Sequence, residues 1–135
     1  MASEATIITL LGNQGDPVEY TVANGTAIPK GSLMVFDSSP QTAKISAADG
    51  NFFVGIAATE KKASDGIVKM SCITHCVADM VAGTGATTFG QPLKISGVNL
   101  TIDADDDTIA NAAEVVGLSL ETVADGDSGA VLVNV

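Results

Sequence analysis

Val54-Gly55-Ile56-Ala57-Ala58-Thr59-Glu60, followed by Ala63-Ser64-Asp65-Gly66-Ile67-Val68-Lys69-Met70, returns later in the chain in altered form. The second copy is Val116-Gly117-Leu118-Ser119-Leu120-Glu121-Thr122, then Ala124-Asp125-Gly126-Asp127-Ser128-Gly129-Ala130-Val131-Leu132. Upstream of each copy a Gly opens a short apolar run, Gly31-Ser32-Leu33-Met34-Val35-Phe36 and Gly90-Gln91-Pro92-Leu93-Lys94-Ile95. The offset is about 60 residues, long for a solenoid unit and suited to two halves of one compact β domain. The motif frame puts the pseudo-repeats at residues 25–82 and 83–135, within a β domain of residues 18–135. A duplicated β scaffold without reactive clusters points to a structural module.

The flanking pattern agrees. Val18-Glu19-Tyr20-Thr21-Val22 alternates apolar and polar residues, as a half-buried strand does. Turn signals at Asn24-Gly25, Pro29-Lys30-Gly31, Asp49-Gly50 and Asp65-Gly66 separate short β-prone runs. Residues 52–58 read as a central strand. Residues 67–73 and 75–81 read as two more, and residues 107–114 as the one place for a helical turn. Short strands at regular spacing predict an all-β, single-domain barrel or sandwich with an internal two-fold pseudo-repeat.

Composition narrows the function classes. At 135 residues the chain is one domain by length. Apolar residues make up 46% but aromatics only 4%, so Ala, Val, Ile and Leu build the core. Six Lys and Arg against 16 Asp and Glu give a net charge of -10. That excludes the basic footprint a nucleic-acid partner needs and keeps copies soluble when crowded. No basic leader opens the sequence, and no apolar run approaches a membrane span. Synthesis in a host cytoplasm, with neither membrane nor nucleic acid as partner, is the expectation.

Two clusters carry candidate chemistry. Cys72-Ile73-Thr74-His75-Cys76 holds the sole His and both Cys of the chain, one ligand short of a closed zinc site. On a continuous strand Cys72 and Cys76 share a face, with α-carbons about 13 Å apart, beyond disulfide reach. Buried small hydrophobes beside a satisfied His are the plainer reading. Asp103, Asp105, Asp107 and Glu114 place carboxylates at positions one, three, five and twelve of a calcium-type loop. Thr108 stands where that loop's sharp turn needs Gly, and a strand precedes it in place of a helix. A solvated acidic turn is the alternative. No nucleophile elbow, phosphate loop or aromatic sugar platform is present, so neither an enzymatic activity nor a cofactor is expected.

Residues 6–11, Thr6-Ile7-Ile8-Thr9-Leu10-Leu11, form a β-prone run ahead of the breaker cluster Gly12-Asn13-Gln14-Gly15-Asp16-Pro17. Residues 1–17 therefore read as an N-terminal arm. The run either lies along an edge of the domain or is held away from it to join a partner's sheet.

The arm, the segment Gly25-Thr26-Ala27-Ile28-Pro29-Lys30-Gly31-Ser32-Leu33, the Val-Gly strands and the Asp-Gly turns together resemble the head-decoration, or capsid cement, proteins of tailed bacteriophages. The resemblance covers about residues 18–135. It implies a β barrel that forms homotrimers on the outer face of a virion and binds the major capsid protein. It also implies that Thr6, Ile7, Ile8, Thr9, Leu10 and Leu11 contact the coat by strand addition. Two other readings stand beside it: a surface-binding module for a glycan or protein, calcium-assisted, and a hydrolase using Asp103, Asp105 or Glu114.

Overall fold

A computed structural model describes residues 4–10, 17–104 and 112–134. Among them the fold is all-β. The strands are β1 (Thr6–Leu10), β2 (Val18–Thr21), β3 (Leu33–Phe36), β4 (Ala43–Ile45), β5 (Phe53–Ala57), β6 (Lys69–Ile73), β7 (His75–Ala82), β8 (Pro92–Gly97), β9 (Leu100–Asp103), β10 (Val115–Ser119) and β11 (Ser128–Asn134). A 3-10 turn, Ala112–Glu114, precedes β10.

The pairing gives the repeat its physical form. One sheet runs β2-β6-β5-β3-β4, and the other runs β7-β11-β10-β8-β9 with β1 added outside β7. The two five-strand orders are the same. The second sheet closes into a barrel where β7 meets β9 in parallel, Val81 opposite Leu100. The first brings its outer strands together in the same sense through the parallel bridge of Thr21 with Thr42. Each unit also carries a bridge between its long connections, Ile28 with Lys61 and Thr87 with Val123. The repeat units are therefore β2–β6 and β7–β11, and the boundary falls at Thr74. This corrects the motif frame of 25–82 and 83–135, which starts each copy one strand late and assigns β7 to the first half.

The repeated Val-Gly pair has a steric cause. In β5, a Cβ on Gly55 would lie 2.9 Å from the Ile73 carbonyl oxygen. In β10, a Cβ on Gly117 would lie 2.3 Å from the Leu132 carbonyl oxygen. Both glycines sit where the register shifts against β3 or β8. At these bulges the neighbouring backbone comes too close for a side chain.

Two apolar clusters follow from strand alternation. Met34, Val54, Ala57, Met70 and Cys72 fill the N-terminal unit. The second cluster joins the C-terminal interior (Met80, Leu93, Ile95, Val116, Val131) to the outward face of the N-terminal unit (Leu33, Val35, Phe53, Ile56). One end of the C-terminal unit thus stands on the wall of the N-terminal unit. Buried polar groups pin this contact. Leu33 N donates to Asn99 Oδ1 at 2.8 Å, Asn99 N donates to Ser46 Oγ at 2.8 Å, and Lys94 Nζ reaches Asp49 Oδ2 at 3.0 Å.

Lys61 is fully buried inside the N-terminal unit, where its ammonium donates to the Asn24 carbonyl at 2.6 Å and the Lys62 carbonyl at 3.1 Å. Asp65 lies 3.6 Å from it. The Asp65 carboxylate accepts the Ile67 and Lys62 amides. The Ile67 amide foremost, then the Lys62 amide and the Lys61 ammonium, hold this carboxyl below the ordinary range. The Asp-Gly turn of the motif is thereby locked to the barrel interior.

Candidate strand-docking site

The N-terminal strand β1 pairs at home. It runs antiparallel to β7, with Thr6 opposite Asp79, Ile7 opposite Ala78, Thr9 opposite Val77 and Leu10 opposite Cys76. Of the two arrangements open to this run, the edge strand is the one formed. Leu11 and all of the breaker cluster except Pro17 lie outside the described residues.

Three features fix the strand. Ala5 is buried and Ile7 packs against the cluster shared by the two units. The Ala5 amide donates to the Gly31 carbonyl at 2.6 Å. Gly31 has φ +88°, and a Cβ there would lie 2.2 Å from the Ala5 carbonyl oxygen. Only glycine lets the segment seat this closely. The glycine that opens the repeated motif is thus, in this copy, also the seat of the arm.

The register shifts between Ile7 and Thr9, so Ile8 is the extra residue of a bulge, 55% exposed. Thr6 is also exposed, while Ala5 and Ile7 face inward. Among the described residues β7 is the one strand paired with β1. Its other edge borders a groove of about 700 Å³, with Ala5, Thr6, Ile7 and Ile8 on one side and Lys30, Ala58 and Ile73 on the other. An unpaired strand edge beside an apolar groove can take up an extended segment through main-chain hydrogen bonds.

The other candidate residues have structural surroundings. Cys72 and Cys76 do not share a face, because the chain leaves one sheet after Ile73 and enters the other at His75. Cys72 lies in the N-terminal core and Cys76 in the shared one. Both are free thiols, and burial pushes Cys72 up to about 12 and Cys76 upward. A thiol held protonated is a poor nucleophile and a poor metal ligand. His75 is half-buried at the start of β7, opposite Asn134.

Asp103 ends β9, and its Oδ1 accepts the Thr88 amide at 2.8 Å. Glu114 is buried beside the start of β10. Asp105 and Asp107, the other two carboxylates of the calcium-type loop, lie outside the described residues. Among the described residues no cluster of three His, Cys, Asp or Glu side chains forms a metal-binding group. Asn99, Lys61 and Gly31 organise the fold and were not singled out for those roles by the sequence pattern.

No family model matches the chain, and no curated protein matches it. A solved structure does: the N base of head fiber gp8.5 of bacteriophage phi29, with a TM-score of 0.56 at 16% identity over 87% of this chain and 93% of that one. The chain has the fold of a phage head-fiber base. The match spans 87% of this chain, so it extends over both units and not one barrel alone.

Proposed function

We propose that this protein is a bacteriophage virion structural protein that decorates the outer surface of the coat shell. The observation that carries the reading is the open outer edge of β1 beside its groove, on a chain whose fold is that of a head-fiber base. The partner is the major capsid protein. A coat segment would extend the sheet at β1, with main-chain pairing supplying affinity and the exposed Thr6 and Ile8 side chains supplying specificity. Its work is mechanical: contacts that bridge coat subunits raise the cost of rupturing the shell, and many modest contacts sum to high avidity. No catalytic step is part of this role. The protein is synthesised in the host cytoplasm and ends on the particle exterior.

The test is co-sedimentation of the pure protein with undecorated shells. Ile8→Asp places a charge at an exposed bulge, so the barrels should melt as in the parent. Binding should fall at least tenfold, on the scale of losing one interface anchor. Full occupancy by the Ile8→Asp protein would sink the proposed contact.

A further inference from the structure

The internal repeat contains a template for a contact between copies. Inside the chain, the end of the C-terminal unit that carries Ile95 and Asn99 stands on a row of the N-terminal wall. That row is Leu33, Ile56 and Ile73, paired in register across β3, β5 and β6. Leu33 and Ile56 are fully buried by the contact.

Each side has an equivalent that the chain leaves open. On the C-terminal wall the corresponding row is Pro92, Leu118 and Leu132, in the same register across β8, β10 and β11. Leu118 is 41% exposed there. The Gly31 amide bonds the Ala57 carbonyl and the Gly90 amide bonds the Ser119 carbonyl, both at 2.9 Å. Phe89, beside Gly90, therefore stands where the N-terminal unit has Lys30, and Leu120 stands where it has Ala58. Phe89 is 67% exposed. The open wall is thus richer in large apolar groups at its rim than the covered one.

The second open surface is the end of the N-terminal unit. Phe36 pairs with Ala43 as Ile95 pairs with Thr101. Gln41 and Asn99 precede those partners by two residues and share a left-handed backbone, φ 53° and 57°. Phe36 is 45% exposed where Ile95 is buried, and neighbouring Phe52 is 38% exposed. Tyr20 holds the Phe36 ring edge-on at 5.9 Å. Of the four Phe in the chain, three are exposed, and all three lie on these two surfaces. Exposed, pre-positioned aromatics are the usual anchors of protein interfaces.

We propose that the two surfaces meet between copies: the Leu118 wall of one chain seats the Phe36 end of the next, repeating the contact made within each chain. In that row Pro92 stands where the covered wall has Leu33, so the new contact has no amide there that requires the cap Asn99 provides. Such an interface is head-to-tail, and identical contacts of this kind close into a ring where the rotation between copies permits and run on as a filament where it does not. The contact rests on the repeat and is independent of coat binding. A net charge of -10 per copy opposes it, so added salt should strengthen association.

The test is the mass of the full-length protein by light scattering and native mass spectrometry at moderate salt. The parent protein should be oligomeric. Leu118→Asp and Phe36→Asp should each be monomeric with unchanged melting, and Phe89→Ser replaces Leu118→Asp if that variant does not fold. A mixture of the wall variant and the end variant retains one intact wall and one intact end. It should form a heterodimer and stop there. A monomeric parent, a variant that keeps the parent's mass, or a mixture that stays monomeric would each overturn the proposal.

Discussion

Removing residues 1–10 separates the role of β1 in the fold from its role in docking. The C-terminal barrel should survive, because β7 still reaches β11 on one side and β9 on the other. The loss comes from the shared core. Ile7, half-buried, contributes about 1.5 kcal/mol and the buried Ala5 methyl about 0.8 kcal/mol at ordinary transfer values. Uncovering neighbours such as Cys76 and Ala78 adds to this. The lost backbone hydrogen bonds and the regained chain entropy roughly offset one another. A net destabilisation of about 2–4 kcal/mol follows. At this chain length it corresponds to a drop in Tm of about 7–14 °C. Thermal melting followed by far-UV circular dichroism measures it, and hydrogen exchange should speed up at the β7 amides opposite β1. A truncated chain that melts with the full-length protein would refute the docking of β1. The same reasoning makes truncation a poor probe of coat binding, since it perturbs stability as well as the exposed edge.

Other substitutions test other parts of the structure. Gly117→Ala drives a methyl into the Leu132 carbonyl and should cost about 2 kcal/mol or more in urea unfolding; Gly25→Ala, with open space around it, should change little. Asp49→Asn removes the carboxylate facing the nearly buried Lys94 ammonium and should cost about 1–2 kcal/mol, whereas Lys94→Met should cost less because no unpaired charge remains. Cys72, with an ordinary thiol value of 9.0 pushed up to about 12 by burial, contributes stability that is complete below about pH 9. As pH rises toward 12 the unfolded thiol ionises first, and stability should fall by up to about 1.4 kcal/mol per pH unit. Cys72→Ala should flatten that alkaline slope, and an unchanged slope in this variant would contradict the assignment.

Much of the fold is legible in local chemistry. Val54-Gly55 and Val116-Gly117 mark the same bulge in each unit because a carbonyl from the next strand approaches both glycines. Asp65-Gly66 marks a turn that its own carboxylate caps. The repeat boundary is less legible, because β2 and β7 are equivalent in pairing and not in residue pattern. Val18-Glu19-Tyr20-Thr21 shares little with the longer β7 sequence, so the motifs alone start each copy a strand late. The sequence separates two strands at Thr74, but with no Gly or Pro there it does not announce that they lie in different sheets, which is why Cys72 and Cys76 read as sharing a face. Asn99 caps an amide 66 positions away in the chain, and the Lys61 ammonium donates to the Asn24 carbonyl, 37 positions away. Such long-range partners leave no local trace. For the docking strand, β-propensity and its place ahead of a breaker cluster were readable. That it pairs with β7 and seats on Gly31 was not, since both depend on where the second unit stands.

The central claim is that the coat meets this protein at the outer edge of β1. Cryo-electron microscopy of coat shells saturated with the full-length protein addresses it directly. The account predicts a coat segment running alongside β1 on the edge opposite β7, continuing the sheet and filling the groove beside Lys30 and Ala58. Shells decorated through another face, with Thr6 and Ile8 in open solvent, would contradict it.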